Sequence, residues 1–462
     1  MKWAEGELGT IEIGDERLNA RLLDIAEGAF KNPQASLNTM FHTRAEVQGC
    51  YRFFSNDLVN EEKIITPHFE STYKRCSQHR IVLSLGDSTS LNYTTRKTLK
   101  ASGYISSNNA QGFFLHAGIV ITPERLHLGL ISQKFWAREK EKPGRSLREY
   151  KSLEEKESYR WIEGYRAACS LAVKCKDTQV IHITDREGDI FEIFTEHDAL
   201  KCKGTAADYI IRSNHNRTVY PTNRDSTRLL EELESSTKIA EISFDVIKRE
   251  DDTTRHVRQS VYALPVEIKS RYGADTPNVK TTINAIYLKE ITPPVGEKPI
   301  NWCLLTSLPI RNLEEIKLIV EYYLCRWEIE IFFKTYKSGC KVEEKSLRSA
   351  DRLYPLFSLL LIIAWRLNFL LQLSRVNPNL SCHLFFEPSE WKAGCIAATR
   401  NKSPPLHPPS LGDMMTFIGK LGGHIKRKNH LQPGIKMMWI GISKLFHYAD
   451  AWDLFGPEAR QR

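Results

Sequence analysis

The residues with the clearest capacity for chemistry lie in the segment 323–337, which reads YLCRWEIEIFFKTYK. In a helix that turns by about 100° per residue, four polar side chains of this segment fall within an arc of about 60°. They are Tyr323, Arg326, Glu330 and Lys337. A phenol, two cations and a carboxylate on one face suit the binding of phosphate and a metal ion. The alternative is the solvated charged face of an ordinary amphipathic helix.

Two further acidic residues come directly after strand-like runs. Asp87 follows RIVLSLG and Asp185 follows QVIHIT. The other elements predicted nearby are strands at 113–122, 126–137 and 209–213 and helices at about 146–174 and 190–200. The order β-β-β-α-β-α-β is that of a ribonuclease-H-like fold, which would place the two aspartates side by side. Alternatively, Asp87 only starts a turn and Asp185 only caps the next helix.

Composition limits the class of protein. A chain of 462 residues with 41% hydrophobic residues is expected to fold into about two to four globular domains. The formal net charge is +9, and residues 351–462 contribute +7 of it, with 14 Lys and Arg against 7 Asp and Glu. This uneven charge predicts contact with a polyanion or an acidic partner domain.

The cysteines and apolar runs predict a protein of the reducing cytoplasm. The ten cysteines form no CxxC pair and no Cys/His cluster with zinc spacing. The N-terminal residues are too acidic for a secretory signal. The longest apolar run, 356–365, is shorter than the roughly 20 residues that cross a bilayer, so it predicts a buried helix and no membrane contact.

The N-terminal region, up to about residue 70, is predicted to be helical. Asp15 can cap a helix that extends to Phe30, with Arg17 and Arg21 on its exposed side. A second helix is expected around Arg44. Exposed arginines on small helical units suit contact with DNA, although an ordinary protein surface is equally compatible with them.

A β-rich insertion and a basic C-terminal region complete the chain. Strands at 239–247, 255–268 and 281–291 alternate in the antiparallel manner, with a charged turn at 248–254, and Trp302 begins a short strand. Helices are predicted at 353–373 and 437–454. The cluster KRK at 426–428, followed by His430, suits contact with DNA or a partner, or is a solvated basic turn.

These pieces together resemble the cut-and-paste transposases of the insertion-sequence-four family, which includes the transposase of transposon five. The matching motifs are GCYRFFSND, GDSTSLNY at Asp87, DREGDI at Asp185, YIIRS before and including Arg212, WCLLTS at Trp302, and Y-x2-R-x3-E-x6-K from Tyr323 to Lys337. The resemblance extends over most of residues 10–345.

The resemblance implies a DDE triad of Asp87, Asp185 and Glu330 that binds two Mg²⁺ ions, with Mn²⁺ as a substitute. Hard cations prefer hard oxygen ligands, and two ions about 3.5 to 4 Å apart serve both ends of an in-line phosphoryl displacement. It also implies that three further side chains hold phosphates of the transposon end: Tyr323, Arg326 and Lys337.

Two other roles follow from the resemblance. Trp302 would stack on a base flipped out beside the cleavage site and so stabilise a DNA hairpin, although a core tryptophan is an equal alternative. Arg212 would be a further DNA contact, as would Arg17 and Arg21.

We therefore expect three domains in an α/β protein. They are a helical N-terminal DNA-binding domain (1–70), a ribonuclease-H-like catalytic domain (71–350) with a β-rich insertion at about 216–300, and a helical C-terminal dimerisation domain (351–462). The expected activity is Mg²⁺-dependent cutting of terminal inverted repeats and joining of the 3′ ends to target DNA by a homodimer associated with the bacterial nucleoid. ATP is not expected to take part, because no P-loop is present. The alternatives are a structure-specific nuclease without strand transfer and a catalytically idle inhibitor of transposition.

Overall fold

A computed structural model of the chain describes residues 2–96, 99–106, 109–138, 152–221, 225–247, 254–270, 279–425 and 432–457. The predicted basic cluster at 426–428 with His430 lies outside these ranges, as does the charged turn at 248–253. The described chain divides into two units. The first unit comprises Met1–Arg75, Ser88–Pro143 and Glu328–Arg462, and the second comprises Cys76–Asp87 and Gly144–Trp327.

The secondary structure is mixed. The strands are β1 (Ile81–Asn92), β2 (Gly103–Tyr104), β3 (Gln111–Ile121), β4 (His127–Trp136), β5 (Gln179–Thr184), β6 (Asp208–Arg212), β7 (Thr218–Val219), β8 (Thr227–Arg228), β9 (Ala240–Ile247), β10 (Thr254–Lys269), β11 (Lys280–Glu290) and β12 (Trp302–Thr306). The α-helices are α1 (Trp3–Leu8), α2 (Glu16–Lys31), α3 (Arg44–Phe53), α4 (Glu61–Cys76), α5 (Tyr159–Lys174), α6 (Phe191–Lys201), α7 (Leu229–Ser235), α8 (Leu313–Leu324), α9 (Trp327–Lys334), α10 (Ala350–Val376), α11 (Pro388–Thr399), α12 (Leu411–Leu421) and α13 (Ile435–Phe455).

The second unit is built on a sheet in the order β1-β5-β6-β12-β11-β10-β9. Strands β1, β5 and β6 are parallel, and β12, β11, β10 and β9 continue the sheet in antiparallel fashion. Strands β1, β5 and β6 are buried over most of their length, as expected for parallel strands. The parallel centre and the added antiparallel strands confirm the predicted α/β class with its β-rich insertion.

The first unit continues β1 beyond Asp87. Here β1 neighbours β3, and β4 pairs with β3 in antiparallel fashion. Strands β1, β3 and β4 therefore correspond to the first three strands of the predicted fold. The helices α1 to α4 and α9 to α13 also belong to this unit, apart from the boundary residues of α4 and α9.

Helix α10 forms the core of the first unit. Its length and apolar character would suffice for a membrane span, but 94% of its most apolar 18-residue window is buried inside the protein. The helix predicted at 353–373 and the burial predicted for residues 356–365 are thus confirmed. It packs against α2, β4, α12 and α13.

The predicted helix at about 146–174 begins too early. Helix α5 starts at Tyr159, and the described residues before it form turns in which the N–H groups of Glu155 and Lys156 bond the carbonyls three residues back. These residues are largely exposed and lack an apolar face, so packing does not favour a helix there. Residues 146–151 lie outside the described ranges.

Candidate functional site

Asp87 and Asp185 lie level with each other on neighbouring strands of the second unit. The register matches Leu85 of β1 with Ile183 of β5, and the same offset matches the two aspartates two residues later. Parallel strands lie about 4.8 Å apart, and level residues point to the same side of the sheet. Both aspartates are half-buried. The predicted end of the first strand before Asp87 is wrong, because β1 continues to Asn92, so Asp87 does not start a turn. The end of the β1–β5 pairing therefore presents two neighbouring carboxylates.

Arg212 lies level with Asp185 on the next strand. The β5–β6 register ends with Thr184 matched to Ile211, and its continuation by one residue places Asp185 opposite Arg212, the last residue of β6. Two acids and a base thus lie in a row where the parallel pairing of the three strands ends, and ligands of open α/β sheets bind beyond the carboxyl ends of parallel strands.

Asp185 also caps the short 3₁₀ turn Arg186–Gly188. Its Oδ1 accepts a hydrogen bond from the N–H of Glu187 at 2.8 Å. The capping role considered from the sequence is therefore real. It does not exclude a ligand role, because the cap engages only one of the two carboxylate oxygens.

The single helix predicted over 323–337 is wrong. Helix α8 ends at Leu324, and the N–H groups of Cys325 and Arg326 bond carbonyls three residues back rather than four. The chain then continues as α9 and, from Thr335 to Gly339, as a π-helix. Such turns advance by other angles than 100° per residue, so the calculated common face does not hold over the whole segment.

Arg326 contacts Asp87 within the second unit. Its Nη1 lies 3.7 Å from Oδ2 of Asp87, and the two side chains are only 13% and 18% exposed. Such limited exposure weakens solvent screening of the pair. A guanidinium fork at this point suits a phosphate oxygen as well as a carboxylate.

Tyr323 links Arg326 to Arg212. Burial raises the pKa of the Tyr323 phenol, whereas Arg326 and Arg212 oppose this shift and Arg212 donates a hydrogen bond to it. Burial likewise lowers the pKa of Arg212, and the positive charges of Arg186 and Arg326 act in the same direction. Three cations beside two aspartates form a site that can accept additional negative charge.

Trp302 is neither fully exposed nor part of the buried core. It is half-buried at the start of β12. Its ring lies edge-on to Tyr323, with 5.9 Å between centroids, and stacks on Phe244 of β9 at 6.1 Å with an interplanar angle of 23°. Phe244 therefore covers part of the indole surface that the sequence resemblance assigns to a flipped base.

Glu330 and Lys337 belong to the first unit. Glu330 is half-buried on α9, and Lys337 lies in the π-helix with its Nζ 3.8 Å from Oε1 of Glu343. The resemblance-based roles of these two residues remain predictions.

The neighbouring acid Glu328 anchors α9 in the first unit. It is 2% exposed, and its carboxylate contacts His127 Nε2 at 3.2 Å, Arg125 at 3.5 Å and Gln372 at 3.4 Å. The indole of Trp365 donates to the carbonyl of His127 at 3.0 Å. Glu328 thus ties α9 to β4, to the turn before β4, and to α10.

The predicted N-terminal arginines differ in their surroundings. Arg17 is 91% exposed and pairs with Asp15 at 2.9 Å, so it is available on the surface. The guanidinium of Arg21 instead packs close to Gly49, where a Cβ would lie 3.1 Å from Cζ of Arg21. Arg21 therefore contributes to the packing of α2 against α3.

The donor set at the strand ends fits a hard divalent cation, because Asp87 and Asp185 supply oxygen ligands from adjacent strands. Across the described parts of the chain, no group of three or more His, Cys, Asp or Glu side chains is arranged as a metal site. The strand register thus places two of the three proposed ligands, Asp87 and Asp185, close together. The third, Glu330, is proposed from its sequence motif.

Sequence reasoning missed three residues that shape this region. Arg186 was visible in DREGDI, where its position next to Asp185 was the available signal. Phe244 and Glu328 gave none, because their contacts join residues far apart in the chain.

A ribonuclease-H-like sheet with one aspartate within its first strand and another directly after the adjacent parallel strand defines a nuclease or transposase of the DDE class. Family models agree with this class. The model described as "Transposase DNA-binding" matches residues 1–59, "Transposase DDE domain" matches 177–366, and "Transposase Tn5 dimerisation domain" matches 362–452. The chain belongs to the insertion-sequence-four family of DDE transposases, of the type represented by transposon five.

The family-model matches include two of the three proposed catalytic acids. Asp185 and Glu330 fall within the range of the DDE model, whereas Asp87 precedes it. The assignment of Asp87 therefore depends on the strand register. A helical DNA-binding region and a helical dimerisation region flank the DDE domain in sequence, as expected.

Proposed function

We propose that this protein is a cut-and-paste transposase that binds the terminal inverted repeats of its element, cuts both strands and joins the freed 3′ ends to target DNA. The observation that carries the proposal is the row of Asp87, Asp185 and Arg212 where the parallel pairing of β1, β5 and β6 ends, with Arg326 beside Asp87. The DNA-binding and dimerisation models support a homodimer acting on paired DNA ends.

Each polar residue of the row has a defined task in this proposal. Asp87 and Asp185 hold divalent metal, with Glu330 as the third ligand on the basis of its sequence motif. Mg²⁺, or Mn²⁺ in its place, supplies activation of the attacking oxygen and stabilisation of the leaving oxygen. Arg212, Tyr323 and Arg326 hold the phosphates of the transposon end through charge-assisted hydrogen bonds.

Trp302 is proposed to stack on a base extruded beside the cut, which would favour a hairpin intermediate. Base–aromatic stacking contributes about 1 to 3 kcal/mol and is indifferent to base identity. Because Phe244 covers part of the indole, the base would use the remaining surface of Trp302 or displace Phe244.

The decisive experiment incubates the purified protein with linear DNA that carries the ends of its element, with and without Mg²⁺. We expect double-strand breaks and hairpin ends only with the metal. A second reaction with precut ends and a target plasmid should yield joined products. Cutting without joining would replace the proposal with a structure-specific nuclease, and binding without cutting would replace it with an inhibitor.

Salt dependence tests the electrostatic part of the proposal. The affinity for end DNA should fall steeply as salt rises, because phosphate contacts release counterions. Arg17→Gln should reduce the slope of log affinity against log salt by about 1 if this exposed side chain contacts a phosphate. An unchanged slope would remove Arg17 from the DNA contacts.

A further inference from the structure

A buried acid in the second unit has no part in the mechanism described above. Asp189 lies four residues after Asp185, in the same DREGDI motif, and its side chain is 0% exposed. Carboxylates are rarely buried so completely without compensating partners. The partners of Asp189 therefore indicate what it does.

Within the described part of the chain, the side chain of Asp189 has its hydrogen-bond and ion-pair partners in the loop that follows β6. Its Oδ2 accepts hydrogen bonds from the backbone N–H of Asn214 at 2.8 Å and from the hydroxyl of Ser213 at 3.2 Å. Its Oδ1 pairs with the guanidinium of Arg217, which also lies 5.3 Å from the centre of the Phe194 ring. One carboxylate thus gathers a backbone amide, a hydroxyl and a cation from five consecutive residues.

This loop begins directly after Arg212. The β5–β6 pairing ends at Thr184 and Ile211, one residue before Asp185 and Arg212. Beyond that point, the hydrogen bonds and ion pair of Asp189 connect the segment that follows β5 to the loop that follows β6. These bonds therefore hold the ends of β5 and β6 together next to Asp185 and Arg212.

We propose that Asp189 is a positioning residue that fixes Arg212 relative to Asp185. This inference rests on the proposed function, since it assigns to Asp189 the task of keeping a phosphate-binding guanidinium beside a metal-binding carboxylate. Asp189 contacts neither DNA nor metal in this role. It acts through Ser213, Asn214 and Arg217.

The test uses Asp189→Asn in the full-length protein. Both oxygens of Asp189 accept from donors, so an amide places an NH₂ group against at least one donor and leaves Arg217 without its anion. At saturating end DNA, we expect the single-turnover rate constant for cleavage to fall by about tenfold to a hundredfold, the cost of a small misplacement of reacting groups. The fraction of protein that reacts is measured separately as the burst amplitude.

Asp208→Asn provides a matched control. Asp208 lies at the opposite end of β6 and accepts hydrogen bonds from Ser307 and Gln179 at 2.9 and 2.8 Å. The same chemical change at the other end of β6, away from the loop that Asp189 binds, should alter the rate constant by less than about twofold. A rate loss equal to that of Asp189→Asn would show a general effect of weakening β6 and overturn the proposal.

A double variant separates positioning from stability. In Asp189→Asn with Arg217→Met, the guanidinium that lost its anion is removed, so the thermal midpoint should recover in part. We expect the rate constant to stay low. If it recovers together with the midpoint, or if Asp189→Asn lowers only the burst amplitude, Asp189 serves stability alone and the inference is wrong. If the wild-type protein itself does not cut end DNA, the proposed function fails instead.

Discussion

The acids proposed for catalysis are held by two different kinds of support. In the second unit, Asp87 lies within β1 and Asp185 directly follows β5, where the backbone pairing of these two parallel strands sets their level. In the first unit, Glu330 stands on α9, an eight-residue helix between a tight turn and a π-helix. A short helix has no ladder to a neighbour, so side chains must anchor it.

The anchors of α9 and of the segment after it are buried charges. Glu328 binds His127, Arg125 and Gln372, and Lys345 donates to the backbone carbonyls of Pro33 and Ala35. Backbone ladders are insensitive to most side-chain changes, whereas buried charges depend on each partner. We therefore expect the strand-borne acids to tolerate mutation of their surroundings better than the helix-borne acid does.

The largest expected effect tests whether the strand-borne Asp185 and the helix-borne Glu330 take part in the same reaction. Asp185→Asn and Glu330→Gln should each lower the rate of end cleavage by at least about a thousandfold, because each removes a metal-ligand charge. Binding of end DNA, measured by gel shift, should persist. If only Asp185→Asn abolishes cleavage, Glu330 is not part of the triad.

Glu328→Ala should produce the largest loss of stability. Removing this carboxylate leaves buried donors unpaired, and the free energy of unfolding should fall by about 2 to 4 kcal/mol. Denaturant titration measures the change. Glu314→Ala removes an exposed acid that pairs with Lys317 and should cost less than about 0.5 kcal/mol. Equal losses would mean that the buried contacts of Glu328 do not anchor α9.

Gly188→Ala tests the strand ends in the second unit. A Cβ at this position would lie 2.2 Å from Oγ1 of Thr184 and 3.2 Å from the Trp161 ring, so the turn that follows Asp185 must shift. We expect a loss of about 1 to 3 kcal/mol in stability together with slower cleavage. Gly434→Ala meets no atom within 4 Å and serves as the control. Unchanged cleavage would show that the turn does not position Asp185.

The smallest expected effect concerns pH and the anchor Lys345. Burial lowers its pKa to about 8 from an ordinary value near 10.5. Between these values the unfolded chain binds more protons than the folded one, so this group makes stability rise with pH, by about 1.5 kcal/mol between pH 8 and 9.5. The cost of burying the charge is fully present below pH 8.

The measurement compares wild-type protein with Lys345→Met in denaturant titrations across this pH range. The difference between their unfolding free energies should change with pH in the stated direction, because all other titrating groups are shared. A constant difference would mean that Lys345 keeps its proton throughout, and that its buried ammonium is stabilised by the carbonyls of Pro33 and Ala35.

The strands around the aspartates could be predicted because apolar runs and their ends are local signals. The level register of Asp87 and Asp185 followed once the strand order was inferred. The continuous helix over 323–337 could not be corrected from sequence, since helical periodicity does not reveal where N–H groups switch to carbonyls three residues back. The residues YLCRWEIEI contain neither proline nor glycine, so no helix-breaking residue indicated the turn between α8 and α9.

Non-local contacts set the other limit. The stacking of Phe244 on Trp302 and the burial of Glu328 depend on partners many residues away, and an isolated phenylalanine or glutamate carries no sign of them. Asp189 was a partial exception, because it stands in a motif that also contains Asp185. Its role became visible only when the loop after β6 was seen to converge on it.

The buried helix α10 has a consequence for how the chain is made. A nascent segment of 27 largely apolar residues is a hazard on the ribosome, because it is long enough to be mistaken for a membrane anchor or to aggregate. Its contacts with α2 and β4 lie upstream in the chain. The residues of α2 and β4 are therefore synthesised before α10. This order of synthesis favours early packing of α10 against them as it leaves the ribosome.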